Sequence, residues 1–139
     1  MDTCFKREGI DKMLANNEIE ALIISHEHFD HFFGLPVTMK YAPNIKIFIP
    51  DGFYKEGLQY IKDSGHKGEV VVHKKGKNDI EPGLCTYTFD VPIICRVFGE
   101  QSIFANVQDK GLVSITGCCH QGIIQFISTA KNELKYDND

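Results

Sequence analysis

The sequence predicts an α/β fold. Helix-like and strand-like segments alternate through the first half of the chain, and the stretch from Leu84 to Thr116 carries strand-like runs only. The last apolar segment, from Ile123, returns to helical spacing. The two periodicities side by side in one chain point to a layered arrangement of helices on sheets.

Taken in order, Ile10, Met13 and Leu14 fall near helical spacing, which predicts a short helix from Gly9 or Ile10 to about Asn16, ended by Asn16-Asn17. Ile19 leads into a strand over Ala21–Ser25. A helical turn begins near Asp30-His31 and is reshaped by Gly34 and Pro36, with Phe32 and Phe33 anchoring it by packing. Ile45, Ile47 and Ile49 form a second strand closed by Pro50. Phe53–Asp63 reads as a helix interrupted by Gly57, residues 64–68 as a loop, and Glu69–His73 as a third strand. The lysine-rich tract Lys74–Asp79 reads as a solvated polar turn. Beyond it, Leu84–Val91, Ile93–Gly99, Ser102–Val107 and Leu112–Thr116 are strands, with Asp109-Lys110-Gly111 a hairpin connection. In the final helix, Ile123, Ile124 and Ile127 are expected to face a sheet, and Lys131 favours the C-terminal end of the dipole.

Composition bounds the function. The 139 residues suffice for one domain with a modest core. Fifteen basic against 19 acidic residues, a formal net charge of -4, give no support for a nucleic-acid partner. No apolar run approaches the ~18 residues of a membrane span, and MDTCFKREG has no hydrophobic signal-peptide core, so a cytoplasmic location is expected. The odd count of five cysteines, Cys4, Cys85, Cys95, Cys118 and Cys119, without C-x-x-C spacing, suggests reduced thiols serving mainly as small core residues.

The chemistry concentrates in Ala21–Pro36. A buried strand ends at Ser25, and His26, His28, Asp30 and His31 follow within six positions. Two histidines two apart on extended backbone point to one side, where a divalent ion about 2.0–2.1 Å from each ring nitrogen satisfies both. A second strand end delivers His120 into a loop flanked by Gly117 and Gly122. His26, His28 and His120 together offer a three-nitrogen face with a position left for water, the arrangement of a catalytic rather than a structural site. Water there has its pKa lowered to about 7, which makes hydrolysis the economical reading. Asp30 and His31 offer ligands to a second ion, and Asp30 could instead orient the attacking water or accept its proton. The donors suit Zn²⁺, with Mn²⁺ or Fe²⁺ as alternatives, in one or two ions.

The segment S-H-E-H-F-D-H, with an apolar strand before it and F-G-L-P after it, resembles the H-x-H-x-D-H signature of the metallo-β-lactamase fold superfamily of metal-dependent hydrolases. Met1-Asp2-Thr3-Cys4 is similar to the D-T-G strand end that often precedes it, with Cys4 in place of glycine. T-G-C-C-H-Q-G at Thr116–Gly122 resembles the motif of the third histidine, in a form similar to the branch related to dihydropterin-linked ribofuranosylaminobenzene phosphate synthases. The resemblance implies that His26, His28 and His120 hold the first metal and Asp30 and His31 belong to the second. It also implies that Asp2 is a buried support of the histidine loop, and that Ser25 and Glu27 are unremarkable. It implies an αββα sandwich, here partial: the strands ahead of the first motif are missing, and so are a bridging aspartate and a final histidine beyond His120. Asp137 and Asp139 have no strand to position them. The expectation is a single, incomplete domain of 139 residues. It would hydrolyse an ester or phosphoester bond of a small molecule, as a homo-oligomer or with a complementary chain. The alternative is a noncatalytic metal-binding fragment or subunit completed by another chain.

Overall fold

The computed structural model describes residues 14, 18–90 and 97–134. The expected first helix lies outside the described residues except for Leu14, which is helical. Asp2, Cys4, Cys95, Asp137 and Asp139 also lie outside them.

The first half builds a parallel sheet of three strands, β1 (Ala21–Ile23), β2 (Lys46–Pro50) and β3 (Val70–His73), in the order β1-β2-β3. Parallel neighbours need crossover connections. They are α1 (Phe29–Phe32) with α2 (Leu35–Tyr41) between β1 and β2, and α3 (Lys55–Asp63) between β2 and β3. Because strand side chains alternate, Ile47 and Ile49 turn to one face of β2 and Phe48 to the other. Ile47 and Ile49 join Leu22, Ile24, Phe32, Leu35, Met39 and Ile61 in the larger core, between this sheet and its helices.

The second sheet is an antiparallel meander, β4 (Gly76–Glu81), β5 (Leu84–Asp90), β6 (Gly99–Val107) and β7 (Gly111–Ile115), in sequence order. Here the structure corrects the polar turn expected at Lys74–Asp79: from Gly76 the chain is an edge strand paired with β5. Gly76, at φ +95°, starts it, and its residues alternate half-buried with exposed, so polar side chains occupy an outer face without loss. The lysines are solvated as expected, with Lys74, Lys75 and Lys77 each paired to an aspartate. The strand expected over Ile93–Gly99 falls largely outside the described residues; Val97 and Phe98 are not in a strand, and β6 starts at Gly99, three residues before the expected Ser102. The Asp109-Lys110-Gly111 connection is a hairpin turn, with Asp109 at φ +61° and Gly111 at φ +77°.

Helix α4 (Ile123–Glu133) lies against the second sheet, but the face expected to be buried is covered only in part. Ile123, Ile124 and Ile127 are exposed, Ile124 at 72 %, whereas Phe126 and Thr129 are buried. The Phe126 ring lies 4.3 Å from that of Phe89, and Leu134, just past the helix, packs on Cys85 and Phe104. The helix follows Gly122 at φ +89°, a backbone conformation that glycine adopts without strain.

The sheets meet through polar groups. Gln101 on β6 donates its side-chain amide to the carbonyls of Ile24 and Phe48, at 2.8 and 3.1 Å, and its backbone N–H to Ser25 at 2.8 Å. His73 Nδ1 lies 2.8 Å from Gln101 Oε1 and 2.6 Å from Thr86 Oγ1, all three side chains being buried. Burial holds the His73 pKa below its ordinary value, against the hydrogen bond to Gln101 Oε1 that favours the protonated ring. This seam fixes the end of β1 against β6, and the ligand-bearing loops leave from there.

Candidate metal centre

The loop after β1 turns back into α1 at His28, whose φ of -89° and ψ of 140° keep it extended. His26 and His28 therefore share a side, with His26 Nε2 3.0 Å from His28 Nδ1. His26 is fully buried. Its Nδ1 lies 2.9 Å from Ser25 Oγ, which is also 3.4 Å from His31 Nδ1, so Ser25 orients two imidazoles. The ring centroids of His26 and His28 lie 4.8 and 5.0 Å from that of His120.

His120 is placed by Glu100, a fully buried carboxylate on β6. It accepts the backbone N–H of Cys119 and of His120, each at 2.8 Å, and faces His120 Nδ1 at 2.9 Å. A carboxylate accepting from Nδ1–H leaves Nε2 as the ring nitrogen for a metal. The loop also approaches the first histidine loop closely: a Cβ at Gly117 would stand 2.5 Å from Ser25 Oγ. Only glycine lets the two loops meet at this distance.

Glu27, between the two histidines, reaches the other way. Its Oε2 accepts the Tyr54 N–H at 2.6 Å, and its carboxylate also accepts from Gly57, where a Cβ would lie 2.1 Å from Oε1. The exposed amides at the start of α3 are satisfied by this carboxylate, which ties the histidine loop to that helix. Burial raises the Glu27 pKa, with the two amide bonds opposing the rise. Phe32 is buried and Phe33 stacks on Tyr60, whose hydroxyl donates to the Phe33 carbonyl at 2.8 Å. These contacts hold α1 from behind.

One group of donors among the described residues could hold an ion: His26, His28, His120 and Cys118, whose ligand atoms all lie within 4.8 Å of one another. Asp30 and His31 are not part of it. Asp30 is 63 % exposed, 3.4 Å from His31 Nε2, and the opposite edge of that contact is Cys118, whose Sγ is 3.2 Å from the same nitrogen. The expected support from Asp2 lies outside the described residues. Sequence reasoning assigned no site role to Ser25, Glu27 or Cys118 and did not single out Glu100. The Ser-His-Glu-His spacing offered a signal for the first two. Glu100 falls between the two expected strands Ile93–Gly99 and Ser102–Val107, where nothing in the sequence marks it as buried.

Three imidazoles with two Nδ1 atoms already engaged by Ser25 and Glu100 form a donor set suited to a borderline divalent ion. No helix among the described residues is long and apolar enough to cross a membrane.

Comparison with solved structures finds human tRNase Z, short form, at 17 % identity and a TM-score of 0.56, over 93 % of this chain and 61 % of that one. This likeness is one of fold, and the chain spans less than two thirds of that protein's length. Comparison with curated proteins finds no match. Residues 11–95, more than half of the chain, match the metallo-beta-lactamase superfamily, and the chain belongs to that family.

Proposed function

We propose that this chain carries the metal centre of a hydrolase that cleaves an ester or phosphoester bond in a small molecule. The observation that carries the reading is the convergence of His26, His28 and His120 from two separate loops onto one point. Zn²⁺ is the ion proposed, bound by these three imidazoles. Such an ion supplies Lewis acidity and lowers the pKa of water to about 7. The chain's own residues do the rest: Ser25 and Glu100 fix ring orientation, Glu27 braces the loop on α3, and Asp30, exposed beside His31, would orient the water or accept its proton. In the alternative role Asp30 joins His31 as a ligand to a second ion, and Asp2 is proposed as a buried support of the histidine loop.

The T-G-C-C-H-Q-G loop supports a place near the branch related to dihydropterin-linked ribofuranosylaminobenzene phosphate synthases, and a cytoplasmic setting is proposed with it. A second reading, a noncatalytic metal-binding unit completed by another chain or a second copy, is favoured by Asp30 and His31 standing outside the donor group, with Asp30 63 % exposed. One experiment separates them: metal content of the purified native assembly, with turnover of chromogenic ester and phosphodiester substrates. Zn²⁺ with turnover, both lost in His26→Ala/His28→Ala, supports the hydrolase. Zn²⁺ without turnover supports the second reading, and metal content unchanged by the double substitution overturns both.

A further inference from the structure

We propose that Cys118 is itself a metal ligand, binding through its thiolate beside His26, His28 and His120; this rests on the metal-centre reading above, and because the thiolate fills the fourth position, hydrolysis at this centre requires a fifth position for water. The two neighbouring cysteines look equivalent in sequence and are not equivalent in the fold. Cys119 is half-buried at φ +57°, its Sγ turned toward the Gly117 carbonyl at 4.0 Å. Cys118 is exposed, and its Sγ lies with the three imidazole donors.

The position of that sulfur is set by the backbone. Glu100 holds the amides of Cys119 and His120, and Gly117 sits against Ser25 with no room for a Cβ. Cys118 is therefore clamped on both sides, at a fixed distance from the histidine loop. The widest donor separation is 4.8 Å, and a tetrahedral ion with bonds of about 2.0–2.1 Å to nitrogen and about 2.3 Å to sulfur brings its donors to roughly 3.5 Å. Side-chain shifts of about 1 Å close that gap. On binding, the S–H bond breaks, a sulfur–metal bond forms and the proton leaves to solvent.

The ligand class follows from the donors. Three imidazoles and a thiolate select borderline or soft divalent ions such as Zn²⁺ and Co²⁺ over Mg²⁺, Ca²⁺ and Mn²⁺. The sulfur also lies 3.2 Å from His31 Nε2, so it stands between the three-histidine set and the Asp30–His31 pair. A thiolate there links the two sets that the sequence presents as separate.

Co²⁺ titration of the chelator-stripped protein tests this, read by absorption spectroscopy. The expected result is visible d–d bands together with a near-ultraviolet thiolate-to-cobalt charge-transfer band. Cys118→Ser should lose the charge-transfer band, keep the d–d bands, and bind Zn²⁺ at least about tenfold more weakly by chelator competition; Cys119→Ser should keep all features. Circular dichroism of each variant establishes that it is folded. Visible bands without charge transfer in the wild type, or a charge-transfer band that survives in Cys118→Ser, overturn the Cys118 ligand while leaving the histidine centre standing. Absence of any Co²⁺ or Zn²⁺ binding overturns the metal-centre reading and this inference with it.

Discussion

Glu100 is the residue on which the second ligand loop depends, and its replacement gives the most demanding test of the geometry. The side chain is fully buried and accepts three N–H donors, from Cys119, His120 and the His120 ring. Glu100→Ala leaves all three without their acceptor. Each orphaned buried donor costs about 1–3 kcal/mol, and since the loop is only part-buried, water recovers some of this, so the lower end, about 3 kcal/mol in all, is expected. Glu100→Gln keeps the shape but puts an NH₂ against donors, which retains one or two of the three bonds and costs about 1–2 kcal/mol. Without the carboxylate, His120 Nδ1–H is no longer fixed, and Zn²⁺ affinity should fall about 10–100-fold. Urea unfolding of the metal-free protein reads the first quantity and chelator competition the second, while ¹⁵N NMR of the His120 ring reports its tautomer directly. A Glu100→Gln protein with wild-type stability, wild-type Zn²⁺ affinity and an unchanged tautomer would refute the assignment.

Other consequences are smaller or more local. Because burial lowers the His73 pKa, the unfolded chain binds the proton more readily than the folded one just below pH 6.5, so His73 makes stability fall as pH drops through that value, by at most about 1.4 kcal/mol per pH unit. Denaturation midpoints compared between wild type and His73→Gln should show a shallower decline in the variant; parallel curves would remove His73 as the cause. On α4, Phe126→Ala should cost about 3–5 kcal/mol and Ile124→Ala less than about 0.5, a contrast in thermal or urea unfolding that reverses if the apolar stripe of the sequence is the buried face.

Much of the fold is legible in local pattern because local pattern causes it. The alternation in Lys46–Pro50, the run of β-branched residues in Val70–His73 and the helical spacing in Lys55–Asp63 are each sufficient to place their elements, since each contributes to the same core. The departures arise where a distant contact decides. Gly76–Glu81 is polar apart from Ile80 and becomes a strand because β5 supplies its hydrogen-bond partners. In α4, Ile123 and Ile127 turn toward β6–β7 yet stay half-exposed across a gap, while Phe126 and Thr129 are the buried residues. A groove of about 680 Å³ between α4 and β6–β7 is the result, lined by Phe104, Leu112, Ile123 and Ile127.

The candidate site divides along the same line. His26 and His28 are legible because they are two residues apart on one extended segment, so proximity in sequence is proximity in space. His120 is 94 positions from His26, and the two sit together only because Gly117 lets one loop touch Ser25 of the other. Glu100 and Cys118 belong to this second category entirely: a buried carboxylate and an exposed thiol, neither distinctive by type, acquire chemical meaning from the His120 loop they frame. Gly117→Ala addresses that contact directly. Its methyl would stand 2.5 Å from Ser25 Oγ and 3.2 Å from Glu100 Oε1, so relief requires the loops to part. The expected cost is about 1–3 kcal/mol in stability, together with a loss of Zn²⁺ affinity at least as large as that of Cys118→Ser, because parting the loops carries His120 and Cys118 away from His26 and His28 at once. Unfolding curves and chelator competition on the same variant decide it: a destabilised protein that still binds Zn²⁺ with wild-type affinity would mean that the contact between the loops does not set the distance across the centre.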